Sequence, residues 1–132
     1  MSGGRWNAKG SPMVYCATNI SLAVLETIVH FNAAGLPLNR FLVRIDVPDE
    51  VWSRAVLLKP HDHVGWDAEP AGKTSINWGA AWLASRASAL AFVPSVITPE
   101  ECNCLINPCH ADVAQLKVSK LRRWIYDARI KG

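Results

Sequence analysis

Apolar residues in this chain come in short runs that switch between period-two and helical spacing, and a glycine or proline cuts off most of them. No internal repeat or low-complexity tract interrupts the alternation. Strand-like and helix-like runs therefore interleave, and the expected fold class is α/β or α+β: a mixed β-sheet flanked by helices.

After an entry marked by Gly3, Gly4, Gly10 and Pro12, Met13 to Ala17 is an apolar run of strand length. From Ile20 to Ala34, residues Leu22, Leu25, Ile28, Val29 and Phe31 recur at helical spacing. Thr18, Asn19 and Ser21 offer capping oxygens, and Gly35 with Pro37 stops the pattern. Glu26 sits beside Leu25, at the margin of that stripe. Arg40 to Val47 alternates Phe41, Val43, Ile45 and Val47 against Leu42, Arg44 and Asp46, which predicts a second strand. Ala55 to Leu58 is a short apolar run, and residues 59–75 read as a surface loop. Thr74 is placed to cap a helix over 75–87 carrying Ile76, Trp78, Ala81, Trp82 and Leu83, and Ala89 to Val93 reads as a buried strand ended by Pro94. Cys104 to Ile106 is another apolar run, His110 to Leu116 offers one helical turn, and Lys117–Leu121 and Trp124–Tyr126 read as closing strands.

A chain of 132 residues fits one domain and buries roughly two thirds of its unfolded surface. Half of its residues are hydrophobic and 19% are charged, the balance of a globular protein. The net charge of +3 reads as spread along the chain with no block of five or six like charges, so direct nucleic-acid binding is not expected. Lys120, Arg122 and Arg123 form one basic spot, suited to a solvated strand edge or to contact with an acidic partner. The N-terminus has no signal-like apolar segment and no apolar run is long enough to span a membrane, so a cytoplasmic location is expected. Of four cysteines, Cys102, Cys104 and Cys109 crowd together, unlike a disulfide framework, and reduced thiols are expected.

Local motifs of chemistry are sparse. In His61-Asp62-His63 neighbouring side chains point apart, and the Cys102, Cys104, Cys109, His110 spacing matches no zinc knuckle, so no metal is expected. Cys104 reads as a small core residue. The sequence has no Gly-x-Ser-x-Gly elbow, no Gly-x-Gly-x-x-Gly and no Walker loop. Any phosphate would be held by side chains, a task suited to arginine.

The order of short motifs carries more weight: Gly-Gly-Arg5-Trp6-Asn7, Pro12 to Tyr15, Ser21-Leu-Ala-Val-Leu-Glu26, Val93-Pro94-Ser95, Asn107-Pro108-x-His110 and Asp127-x-Arg129. Together they resemble the RES domain over nearly the whole chain, and the arginine, glutamate and serine that give that family its name match Arg5, Glu26 and Ser95. The resemblance implies a single RES domain over residues 1–132 and a fold like that of ADP-ribosyltransferases. It implies the toxin of a RES–Xre toxin–antitoxin pair, which takes NAD as substrate and cleaves the nicotinamide–ribose bond with water or phosphate as acceptor. An Xre-type antitoxin protein is the implied partner, and a homo-oligomer is compatible. Two alternatives stay open: a module that only binds the antitoxin, and a transferase that ADP-ribosylates a protein. On this reading Arg5 grips the pyrophosphate with its planar fork, and Glu26 stabilises positive charge on the ribose. Tyr15 stacks on nicotinamide, while Ser95 and Asn107 direct polar groups into a cleft at strand ends, though either equally serves turn chemistry. Asp127 and Arg129 are expected to form a structural pair. RES proteins usually carry an extra strand-bearing segment before the Gly-Arg-Trp motif, so this chain is expected to be short at its N-terminus, with an unpaired sheet edge.

Overall fold

The computed structural model describes residues 3–31, 35, 38–127 and 129–130. Its elements are β1 (Val14–Ala17), α1 (Ile20–Phe31), β2 (Arg40–Asp46), α2 (Asp49–Ser53), β3 (Val56–Leu57), α3 (Lys73–Ser85), β4 (Leu90–Pro94), β5 (Cys102–Ile106) and β6 (Lys117–Trp124). Four strands form one sheet in the order β1-β5-β4-β3, with β3 parallel to β4 and the other pairs antiparallel. The class read from the sequence, a mixed sheet flanked by helices, is the class observed.

Alternation along β4 and β5 divides the interior in two. Ala91, Val93 and Leu105 face a first core with Trp6, Met13, Leu58, Trp66 and Trp82. Leu90, Cys104 and Ile106 face a second with Val51 and Ala89. Helix α3 lies so close over the first core that a Cβ on Gly79 would stand 1.6 Å from the Trp6 carbonyl oxygen, so only glycine admits this packing. Trp82 Nε1 donates to Ser88 Oγ, which donates to the Leu90 carbonyl, and the indole is thereby buried with its polar atom satisfied.

Helix α1 starts where Asn19 Oδ1 accepts from the Leu22 N–H at 2.8 Å. Asn19 Nδ2 also donates to Glu101 Oε1, and Thr18 Oγ1 to the Cys102 carbonyl, which pins this start to the beginning of β5. The expected end of the helix at Ala34 lies outside the described residues. The expected inward stripe is only partly inward: Leu22 is buried, whereas Leu25 and Val29 are exposed. Glu26, one turn beyond Leu22, is half-buried instead.

Three further expectations need correction. Thr74 does not cap α3, which begins after Gly72; its hydroxyl donates to the Val64 carbonyl and ties the preceding loop to the helix. That loop is not wholly superficial, since Trp66 drops into the first core. The two closing strands are one: β6 runs unbroken from Lys117 to Trp124 and pairs with β2, a register shift opposite Leu42/Val43 absorbing one extra residue. This β2–β6 ribbon is a separate two-stranded sheet.

Candidate functional site

Ser95 follows β4, its N–H bonded to the Glu101 carbonyl, so it extends the antiparallel pairing by one position. Its side chain is completely buried. The N–H groups of Ile97 and Thr98 donate to Ser95 Oγ at 3.1 and 3.3 Å, and Ser95 Oγ donates to Glu26 Oε1 at 2.8 Å. Two donors occupy the hydroxyl's lone pairs, so its one proton has a single direction, toward Glu26. A serine used in this way is a poor nucleophile. It acts as a positioning residue that fixes one carboxylate oxygen and leaves Oε2 without a hydrogen bond among the described residues.

Arg5 belongs to a tight turn closed by reciprocal backbone hydrogen bonds between Gly4 and Asn7. Buried Asn7 holds the turn: Oδ1 accepts from the Gly4 N–H at 2.9 Å and from the Tyr15 hydroxyl, and Nδ2 donates to the Ser11 carbonyl at 2.7 Å. Arg5 Nη1 donates to the carbonyls of Trp66 and Ala68 at 3.1 and 2.6 Å, and Nη2 pairs with Glu69 at 3.0 Å. Much of the guanidinium fork that the sequence reading assigned to a pyrophosphate therefore braces the loop before α3. Its Nε–H and one Nη2 hydrogen are uncommitted. Tyr15 also accepts from the Trp6 N–H, and burial raises its pKa, which keeps the phenol a donor. The residue is nevertheless almost half exposed.

Among the described residues no hydrogen bond or ion pair joins Arg5 to Glu26. What relates the two groups is the sheet. Tyr15 pairs with Leu105 and Leu105 with Ala91, so the side chains of Tyr15, Ala91, Val93 and, by continuation, Ser95 stand on one face. Arg5 is on that side too, through the loop that seats Trp66. Two strand spacings across and four residues along separate the Tyr15 and Ser95 backbones by about 16 Å. Between them on the same face is half-buried Asn103, paired with Ala17 and Val93 and free of side-chain hydrogen bonds among the described residues. The sequence does not single it out, because only the strand pairing places it there.

Asn107 does not join this set. It is buried at the opposite end of β5, where Nδ2 donates to the Leu83 carbonyl and Oδ1 accepts from the Cys109 N–H. Both ends of its amide are engaged in bracketing α3 to the sheet. Asp127 and Arg129 form the expected ion pair at 2.8 Å. Burial pushes the Cys16 thiol up to about 11 and that of Cys104 to about 12, and no group of metal-ligating side chains occurs among the described residues.

Fold and site together define a small mixed α/β protein with a helix-borne carboxylate fixed at the carboxyl end of a central strand. The chain belongs to the RES domain family, whose profile matches residues 1–128. It is 54% identical over 131 residues to the Prs ADP-ribosylating toxin of Sphingobium sp. (strain YBL2), covering 98% of this chain and 81% of that protein. Toxin Res of Yersinia enterocolitica is 40% identical over 109 residues, covering 82% and 70% of the two chains. Toxin Res of Pseudomonas putida is 37% identical over 117 residues, covering 87% and 77%.

Proposed function

We propose that this chain is a toxin that breaks the nicotinamide–ribose bond of NAD and passes ADP-ribose to a protein side chain. The observation that carries the reading is the Ser95–Glu26 pair: a carboxylate held by a buried, one-directional hydroxyl at the end of the sheet face shared with Tyr15. As nicotinamide leaves with the bonding electrons, positive charge grows on the ribose C1′ and its ring oxygen, and a fixed carboxylate stabilises that charge. The acceptor then bonds to C1′ and gives up a proton. The free hydrogens of Arg5 face the pyrophosphate, and the open Tyr15 ring takes an aromatic face of the dinucleotide.

The name of the Sphingobium relative favours a protein acceptor, whose side chain would have to reach C1′ beside Glu26. Hydrolysis or phosphorolysis, implied by the family resemblance, needs only water or phosphate there. NAD labelled in its adenylate half separates them: label on protein supports transfer, free ADP-ribose supports hydrolysis, ADP-ribose 1″-phosphate supports phosphorolysis, and unchanged NAD overturns all three. The Prs protein is the first acceptor to supply. An Xre-type antitoxin is proposed as the inhibitor on the family resemblance alone, and co-purification with a neighbouring Xre-type protein tests it.

A further inference from the structure

The β2–β6 ribbon concentrates charge that looks dispersed in the sequence. Arg40, Arg44, Lys117, Lys120, Arg122 and Arg123 stand on it against Asp46 alone, so the ribbon carries +5 and the remainder of the chain −2. Register sorts its faces. Phe41 opposes Arg123, Val43 opposes Lys120 and Ile45 opposes Val118, which puts these six on one face. At the inner end Ile45 packs against the second core. Its partner Val118 is nevertheless 65% exposed, and farther out the same face leaves the core: Phe41 is 46% and Val43 47% exposed. Lys120 lies over the Phe41 ring at 4.2 Å, and among the described residues neither it nor Arg123 has a carboxylate partner. A two-stranded ribbon with an apolar face in water is marginal by itself, and covering that face would stabilise it.

We infer that this face is a docking surface for a polypeptide that presents carboxylates interleaved with apolar side chains. Charge selects the occupant. A second copy docked ribbon to ribbon would bring like charges together, and the rest of a second copy carries only a small negative charge. A nucleic acid would satisfy the cations but leave valines against phosphates, and Phe41 already has Lys120 over its ring, blocking base stacking. An acidic-apolar strand or helix meets both needs, its carboxylates reaching Lys120 and Arg123 and its apolar groups extending the second core over Val43 and Val118.

Fluorescence anisotropy tests this with a short labelled peptide alternating glutamate and valine, the glutamine-for-glutamate version, an all-glutamate peptide and a DNA duplex. The glutamate–valine peptide is expected to bind best. Lys120→Glu with Arg123→Glu, and separately Val43→Ser with Val118→Ser, should each weaken it by roughly tenfold, about 1.4 kcal/mol, with the thermal melt checked for each variant. Undiminished binding by both variants, a duplex bound as tightly as the peptide, or an all-glutamate peptide bound equally well would overturn the proposal. The result is independent of whether NAD is cleaved.

Discussion

Removing the Ser95 hydroxyl leaves the N–H groups of Ile97 and Thr98 without their acceptor and frees the Glu26 carboxylate to rotate. Ser95→Ala is expected to cost about 1–3 kcal/mol of stability and to lower nicotinamide release even at temperatures where the variant is fully folded. Unchanged release from a folded variant would remove Ser95 from the site. A Cβ at Gly79 meets the Trp6 carbonyl at a distance no relaxation of a helix absorbs cheaply, so Gly79→Ala is expected to destabilise by about 3 kcal/mol or more, read from chemical denaturation. The thiols give a prediction in pH. Cys16 and Cys104 have pKa values of about 11 and about 12, above their ordinary value of 9.0, because burial disfavours the thiolate. The folded state thus holds these protons more tightly than the unfolded chain. Their contribution to stability is complete below pH 9.0 and is lost as pH rises through 11 to 12. Melting temperature should fall across that window, and less steeply in Cys16→Ala. At about pH 8, exposed Cys109 should alkylate first.

At the scale of elements, legibility followed length and alternation. The strand Leu90–Pro94 was visible as the apolar run Ala89 to Val93 ended by Pro94, and of Cys102–Ile106 the part from Cys104 was visible as a run closed by Asn107-Pro108. Helix α2 was not, since five residues cannot display a helical period; Pro48 and the acids Asp49 and Glu50 were its only marks. The face of α1 was misjudged because the tertiary anchor, Leu22 beside Glu26, turns the margin of its apolar stripe inward rather than the middle. If that anchoring is right, Leu22→Ala should destabilise by about 2–4 kcal/mol while Leu25→Ala, on the exposed side, costs far less, as paired urea titrations would reveal. Glu26 and Ser95 were found as motif residues, but their contact joins positions 69 apart and no spacing announces it. Asn107 stayed open between two readings for a related reason: an asparagine before proline looks the same whether its amide serves a turn or a ligand. The basic ribbon was missed as a unit because its two strands are distant in sequence and only pairing adds their charges.

Over the whole molecule, one sheet face organises the account. Its aromatic core seats α3, the loop braced by Arg5 and the turn held by Asn7, and its far end presents Glu26 on Ser95. The ribbon is a sheet of its own, so the proposed docking of a partner and the proposed cleavage of NAD should be separable by substitution. No helix among the described residues is long and apolar enough to cross a membrane. In the proposed reaction Glu26 stabilises the ribosyl charge, and the direct measurement is the rate at which purified protein frees nicotinamide from NAD, for wild type and for Glu26→Gln with matched thermal melts. A fall of about a hundredfold or more in the glutamine variant is predicted, whereas equal rates in two equally folded proteins would contradict the account.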